Sequence, residues 1–423
     1  LTQGLTLLRE KATRIGDPIA IYYSPRSIQT HWMLDSEADG SWWLERDAEF
    51  ERAHSSALLQ LNAWLMLLED LGYAPRFVHP EQVVAGELQK LKFKAVVLPR
   101  VTAMSGAEAG ALRDFAQGGG LVIADGDCAT FDEHGRRRTG LDIVGPERPI
   151  GLLDREFGIA RKDLLISDRN GRFLGNIEEA RVRLRDPVSG HPFGPDSLEL
   201  RALEPGVLST GAWNNAVSAG GAAALLSKPL GMGRMFYLNL SLQDYPAQRQ
   251  KTAGADFHFH GVDIKEYIKN YGQPSGGEAL RLVIGDILSE ALPSGLQLRG
   301  DDGAPLRNVR RARFKLGREG SLLALLPNAA VEPKEGEAPA NNTSAWVLLE
   351  KERHWYDVRA GAYLGAGASM RVELEPARAR ILAALPYKVE RLSAKVRRVD
   401  SRGQYKLSAG VVASSSPGMH VFR

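Results

Sequence analysis

The only cysteine, Cys128, sits in Gly126-Asp127-Cys128-Ala129-Thr130, just beyond the apolar run Leu121-Val122-Ile123-Ala124. This is close to a nucleophile elbow. In an elbow, a strained strand-to-helix turn with small flanking residues exposes the nucleophile at a helix N-terminus, where the dipole lowers its pKa. Here Thr130 stands where the second small residue, glycine, is needed, and Asp132-Glu133-His134-Gly135-Arg136 reads as a polar turn instead of a helix start. Cys128 is thus an alternative nucleophile, set against a half-buried structural cysteine. His134, adjacent on a turn, is poorly placed to reach back as its base. A single cysteine also excludes an internal disulfide framework.

Two further groups could do chemistry. The segment Asp256-Phe257-His258-Phe259-His260, if extended, puts three potential metal ligands on one face, because side chains alternate with period two. A fourth ligand is not evident, and an interface strand or a lid has the same pattern, so no metal site is assigned and no cofactor is expected. Tyr22, Tyr23, Trp32, Asp35, Trp42 and Trp43 form the richest aromatic cluster, at the C-terminal end of the first strand, where open α/β sheets bind ligands. Aromatic faces stack on sugar rings while carboxylates accept hydroxyl hydrogen bonds, so the cluster is a candidate sugar site. Packing of the same residues against another domain or subunit is the competing reading. Gly231-Met232-Gly233 precedes a strand and so is not a dinucleotide loop, and no Gly-Lys-Ser/Thr, HExxH or GxSxG motif occurs. Asn341-Asn342-Thr343-Ser344 holds overlapping glycosylation patterns, which matter only in a eukaryotic secretory context.

The elements that must position these residues follow from periodicity. Ile19 to Tyr23, Arg76 to Val78, Ala95 to Pro99 and Leu121 to Ala124 read as strands alternating with helices, a doubly wound pattern. One helix runs from about Arg52 to Leu71 with Leu58, Leu61, Leu65 and Leu68 on one face and ends at Gly72; another is capped by Ser105 and reaches Gln117. After Arg138 the pattern loosens, with a short helix near Leu152 to Gly158. It returns as a strand from Gly233 to Leu240 and a helix from Gly277 to Ala291. From Pro293 on, strands alternate with Gly, Pro and Asn turns, which predicts a sandwich. These strands are Ala312 to Leu316, Ser321 to Leu326, Ala345 to Leu349, Trp355 to Val358 and Met370 to Leu374; Val331 to Thr343 reads as a hairpin loop.

Composition bounds the partners. With 423 residues and an apolar fraction of 43%, the chain can bury two or three cores. Its longest apolar runs fall short of the roughly 20 residues a membrane helix needs. A net charge of +3, with basic clusters far apart and no interleaved aromatics, excludes nucleic acid as the expected partner. Leu1 reads as a processed or truncated beginning, and the alternation in His420-Val421-Phe422-Arg423 reads as a strand cut short.

Laid out in order, residues 17 to about 292 resemble the class I glutamine-amidotransferase-like domain of family 42 β-galactosidases, often called the trimerisation domain. The resemblance is carried by Pro18-Ile19-Ala20-Ile21-Tyr22-Tyr23-Ser24, the Trp32 and Trp42-Trp43 loop, and Gly118-Gly119-Gly120-Leu121-Val122-Ile123. Phe131-Asp132-Glu133-His134-Gly135 and Gly231-Met232-Gly233-Arg234-Met235-Phe236-Tyr237 add to it. It implies a flavodoxin-like, doubly wound α/β domain followed by an all-β sandwich. The expected divisions are an N-terminal linker at 1–16, the α/β domain at 17–292 with an insertion around 139–232, a sandwich at 293–386 and the start of a further β module at 387–423. In that family two glutamates on a preceding (β/α)₈ barrel do the chemistry. No such barrel fits here, since eight βα units need about 250 residues, so no catalytic residue is carried over. The resemblance then implies an accessory region of a β-galactosidase-like glycoside hydrolase in carbohydrate metabolism, serving oligomerisation and shaping one wall of the sugar site. Its partners would be the missing barrel, further copies of the chain and a carbohydrate substrate. The alternatives are a stand-alone thiol hydrolase using Cys128 and a non-enzymatic carbohydrate-binding scaffold.

Overall fold

Apolar runs bounded by glycine and polar turns become the centre of a seven-stranded sheet. The computed structural model describes residues 12–35, 55–142, 145–161, 182–184, 200–204, 206–248, 276–293, 295–303, 305–307, 309–317, 320–327, 343–376, 378–399 and 403–418. Its contacts divide the chain into an α/β unit, Asp17–Leu71 with Pro75–Pro293, and a β unit, Leu1–Gly16, Gly72–Ala74 and Ser294–Arg423.

Strands are numbered along the chain. β1 (Ala12–Ile15) belongs to the β unit. The α/β unit holds β2 (Ile19–Tyr22), β3 (Arg76–Val78), β4 (Ala95–Leu98), β5 (Leu121–Asp125), β6 (Thr139–Asp142), β7 (Gly145–Pro149), β8 (Ile159–Arg161) and β9 (Val182–Leu184). It continues with β10 (Val207–Ser209), β11 (Trp213–Asn214), β12 (Ala216–Ser218), β13 (Leu225–Leu230) and β14 (Gly233–Leu238). Its main helices are α1 (Pro25–Leu34), α2 (Ser56–Asp70), α3 (Pro80–Val84), α4 (Glu87–Lys90), α5 (Gly106–Gln117), α6 (Asp154–Phe157), α7 (Tyr245–Gln248) and α8 (Gly276–Ser289).

The sheet order is β3-β2-β4-β5-β14 in parallel, extended by β13 and β11 antiparallel at the far edge. Every residue of β2, β4 and β5 is buried, as a parallel sheet covered on both faces requires. Ala20, Tyr22, Val96, Leu98, Val122 and Ala124 share a core with Leu112 and Phe115 of α5. Ile19, Ile21, Val97 and Ile123, on the other face, are equally buried. Gly233 opens β14 because a Cβ there would stand 2.2 Å from the Gly120 carbonyl oxygen and 2.3 Å from that of Ala116.

The structure departs from the sequence reading in several places. Helix α2 turns a partly different face inward: Gln60, Ala63, Trp64 and Leu67 are buried together with the expected Leu68, while Leu58, Leu61 and Leu65 are only partly so. The cause is polar, since the Gln60 amide and Trp64 indole reach the end of β5. Part of the stretch 139–232, read as an insertion, supplies β11 and β13 to the main sheet itself. And the stretch 1–16, read as a linker, contains β1, which pairs antiparallel with a strand of the β unit.

That unit comprises β15 (Gln297–Arg299), β16 (Val309–Leu316), β17 (Gly320–Pro327), β18 (Thr343–Asp357), β19 (Ala362–Leu374) and β20 (Arg380–Leu385), then β21 (Val389–Arg398) and β22 (Tyr405–Ala413). The order β1-β16-β17-β20-β18-β15, with β19 on β18, gives a β-sandwich-like antiparallel arrangement around Trp355, Leu325, Val347 and Leu382. The two strands expected around Ala345 and Trp355 are one, β18. A register shift between Leu348 and Arg353 lets its first part pair with β15 and its second with β20. Among the described residues no helix is long and apolar enough to cross a membrane.

Candidate functional site

In open α/β sheets ligands bind outside the carboxyl ends of the parallel strands. In this chain that edge is lined by Asp125 ending β5, by Arg100 after β4, and by Asn239 after β14. One Asp125 oxygen accepts the Arg100 backbone N–H at 2.5 Å, and the other accepts Gln60 Nε2 at 2.9 Å and Trp64 Nε1 at 2.8 Å. Burial pushes the carboxyl up to about 6, with these donors opposing the rise. Arg100 itself has φ +45°, a left-handed conformation unusual for its type, and pairs through Nη1 with Asp127 at 3.1 Å. Beside it, His31 is buried between Thr102 Oγ1 at 2.6 Å and Ser56 Oγ at 3.2 Å. Burial and the Arg100 charge hold the imidazole neutral, its pKa well below the usual histidine range.

The rest of the edge is filled by an ion cluster from the segment between β7 and β13. Arg161, at the end of β8, is 2% exposed. Its Nε donates to Glu204 at 2.7 Å, its Nη2 to the Tyr237 hydroxyl at 2.9 Å, and its Nη1 to Asp154. The Tyr237 hydroxyl in turn donates to Glu204. Asp127 N–H donates to Glu204 at 2.9 Å and Gly151 N–H to Asp154 at 2.7 Å. The backbone of Glu204 exchanges two hydrogen bonds with the Asn239 amide, at 2.6 and 2.7 Å. Burial acts to raise the Glu204 carboxyl, but the Arg161 guanidinium and the Tyr237 hydroxyl overcome it and hold the group below its ordinary value. Asp154 goes the other way, raised by burial that Arg161 only partly offsets.

Cys128 lies under this cluster, 1% exposed, and burial pushes its thiol far up from the ordinary range, Arg161 opposing. Left-handed backbone falls on its neighbours Asp127 (φ +61°) and Ala129 (φ +56°) and not on the cysteine. No helix follows: Gly126–Ala129 is a turn, Phe131 bridges to Ala103 and Arg137, and the next helix is α6. Thr130 Oγ1 donates to the Asp127 carbonyl at 2.9 Å. Asp132 caps the polar turn through the backbone N–H groups of His134 and Arg136, leaving His134 exposed.

The aromatic candidates are only partly brought together. Tyr22 and Tyr23 point to opposite sides of the strand end. The Tyr22 hydroxyl is buried against Glu108 at 2.5 Å, where Arg26 also pairs at 2.9 Å, while Tyr23 is half-exposed and meets Phe77 edge-on at 6.2 Å. Trp32 is half-buried on α1. Asp35 accepts the Ser56 backbone N–H at 2.8 Å, next to the N-cap of α2. Trp42, Trp43 and the segment Asp256 to His260 lie outside the described residues. Among the described residues no three His, Cys, Asp or Glu side chains group as a metal site. Sequence reasoning missed His31, Arg100, Asp125, Arg161, Glu204 and Tyr237. Only Asp125 left a signal, a charge directly after four apolar strand residues.

No family model matches this sequence, and neither does any curated protein. The fold is similar to that of the β-galactosidase from Bacillus circulans sp. alkalophilus, with a TM-score of 0.53 at 13% identity over 87% of this chain. It is also similar to that of the β-galactosidase from Rahnella sp. R3, with a TM-score of 0.50 at 14% identity over 88% of this chain. In each case the chain spans 41% of the length of the solved protein. The fold is therefore one found in glycoside hydrolases, as part of a longer polypeptide.

Proposed function

We propose that this chain is the non-catalytic accessory region of a β-galactosidase-like glycoside hydrolase. In this reading a flavodoxin-like, class I amidotransferase-like unit serves oligomerisation and shapes one wall of a sugar site, and the β unit follows it. The observation that carries the reading is the closed strand edge: Arg161, Glu204 and Tyr237 occupy the place of a ligand, and Cys128 beneath them lacks both exposure and a stabilised thiolate. The parallel order β3-β2-β4-β5-β14 follows the 2-1-3-4-5 order of flavodoxin-like sheets, which supports the finer fold assignment. The partial coverage of two β-galactosidases leaves room for a catalytic barrel elsewhere in the protein. Of the aromatic candidates, Tyr23 remains the described side chain best suited to a sugar or a neighbouring subunit, because it is exposed while Tyr22 and Asp35 are used internally.

Light scattering on the isolated chain after size exclusion, with an aryl β-galactoside assay on the same fractions, tests both halves. An oligomer without turnover is expected. A monomer at high concentration removes the oligomerisation role, and turnover that disappears in Cys128→Ala removes the non-catalytic one.

A further inference from the structure

At the far edge of the α/β sheet, β11 pairs with β13 and, among the described residues, with no other strand. Its alternation turns Trp213 to one face, and Asn215 continues that face one residue beyond the strand, where its N–H donates to the Leu225 carbonyl at 2.8 Å. The register carries the face across the sheet: Trp213 stands opposite Ser227, Ser227 opposite Phe236, and Arg234 lies two residues before Phe236. Helix α8 meets this face along Val283, Asp286, Ile287 and Glu290, a stripe at helical spacing. The two surfaces leave a groove between them, with Leu225, Phe236 and Ile287 as its apolar lining.

The polar groups of the groove are left unmatched. Arg234 uses Nε alone, for Glu290 at 3.6 Å, and its Nη groups find no protein partner among the described residues. The same holds for the Trp213 indole N–H, the Asn215 amide and the Ser227 hydroxyl. Ser227 is only 8% exposed, and a polar side chain so buried is normally bonded within the protein. Trp213, by contrast, is 51% exposed at the rim. These groups select a ligand. A neutral sugar ring offers an apolar C–H face to the indole and hydroxyls that both donate and accept, matching N–H donors on Trp213 and Arg234 and the two-way groups of Asn215 and Ser227. Two carboxylates, Asp286 and Glu290, against one guanidinium disfavour a phosphate or a uronate. One indole is not the aromatic cage that recognises a quaternary ammonium, and a two-residue β11 is too short to pair an added peptide strand.

We propose that the groove between β11 and α8 binds one neutral pyranose residue, stacked on Trp213 and held through its hydroxyls by Asn215, Ser227 and Arg234. The proposal rests on the groove alone and stands apart from the functional reading above, since a monomer and an oligomer would carry it equally. It is tested on the 423-residue chain by following the tryptophan indole N–H resonances while the methyl pyranosides of galactose, glucose, mannose and fucose are titrated into the millimolar range. One indole signal, identified by its loss in Trp213→Phe, should shift saturably with at least one of these sugars, and methyl glucuronide should leave it in place. Trp213→Ala should weaken binding, read by saturation transfer to the sugar C–H protons, roughly 10-fold or more. Asn215→Ala should weaken it several-fold while the β4 and β5 amides stay protected from exchange. No saturable indole shift with any of the four sugars overturns the proposal, as does binding unchanged in Trp213→Ala or a glucuronide that binds more tightly than the neutral sugars. So does a dimer that Trp213→Ala dissociates, which would make the indole part of a contact between copies.

Discussion

Replacing Arg161 by methionine removes the cation from between two carboxylates while keeping most of the side-chain volume. Glu204 then loses its 2.7 Å partner, Asp154 loses another, and the Tyr237 hydroxyl loses a donor, all in a buried cluster. Breaking a buried pair by removing one member costs about 3–5 kcal/mol, because the remaining charge is left in low dielectric. With a urea dependence of about 3 kcal/mol per molar for a unit of this size, the midpoint should fall by roughly 1–1.7 M at pH 7.5. The loss should shrink toward pH 5. In the parent, the depressed Glu204 carboxyl contributes stability above its unfolded value that is lost as pH falls through its folded one. In the variant, Glu204 is instead raised by burial without Arg161, so acid restores stability by protonating it. Urea titrations at pH 5.0 and 7.5, followed by hydrogen exchange in β5 and β14, read this directly. Adding Glu204→Gln, which keeps an acceptor for Tyr237 and Asp127, should recover more than half of the loss. A midpoint unchanged at pH 7.5, or a shift of equal size at both pH values, refutes the view that this cluster holds the strand edge together.

Asp125 gives a pH dependence of its own. Its carboxyl ionises near 3.9 when unfolded but at about 6 when folded, so the native state binds more protons in that window and stability falls by roughly 3 kcal/mol as pH rises through it. Asp125→Asn should flatten this contribution in urea midpoints taken from pH 4 to 7, while lowering stability throughout because its amide NH₂ must oppose either the Arg100 N–H on one side or the Gln60 and Trp64 donors on the other. Cys128 should resist iodoacetamide in the folded chain and label only on unfolding, since it is buried and its thiol is pushed up. Labelling in the native state at a rate near that of free cysteine contradicts the described burial.

The parallel strands were legible because their apolar runs are continuous and bounded, as in Leu121 to Ala124 after three glycines, and α5 because Ser105 caps it at the expected place. The inward face of α2 was not. Leucine spacing favoured Leu58, Leu61, Leu65 and Leu68, of which only Leu68 is fully buried, because the helix is oriented by Gln60 and Trp64 reaching Asp125, an acceptor far away in sequence. The unity of β18 was hidden in the same way. Glu350-Lys351-Glu352-Arg353 looks like a polar loop, yet it continues the strand across a register shift with Glu350, Lys351 and Glu352 exposed.

The polar strand edge was illegible for a more general reason. The carboxyl ends of parallel strands present backbone groups that must be satisfied by ligand, water or the protein's own side chains. Here the Arg100 N–H is taken by Asp125, the Asp127 N–H by Glu204, and the Glu204 N–H by Asn239, from segments scattered between residues 100 and 239. No spacing rule links those positions. Arg161 completes the set by joining Glu204, Asp154 and Tyr237, and its charge makes a closed edge stable where isolated carboxylates would demand water. The same bonds set a condition on function. Among the described residues, a ligand taking the place of Arg161 at this edge would displace an arginine whose loss costs the unit about 3–5 kcal/mol, so a sugar contact is better sought on the outer surface near Tyr23 than in the part of the crevice that Arg161 fills.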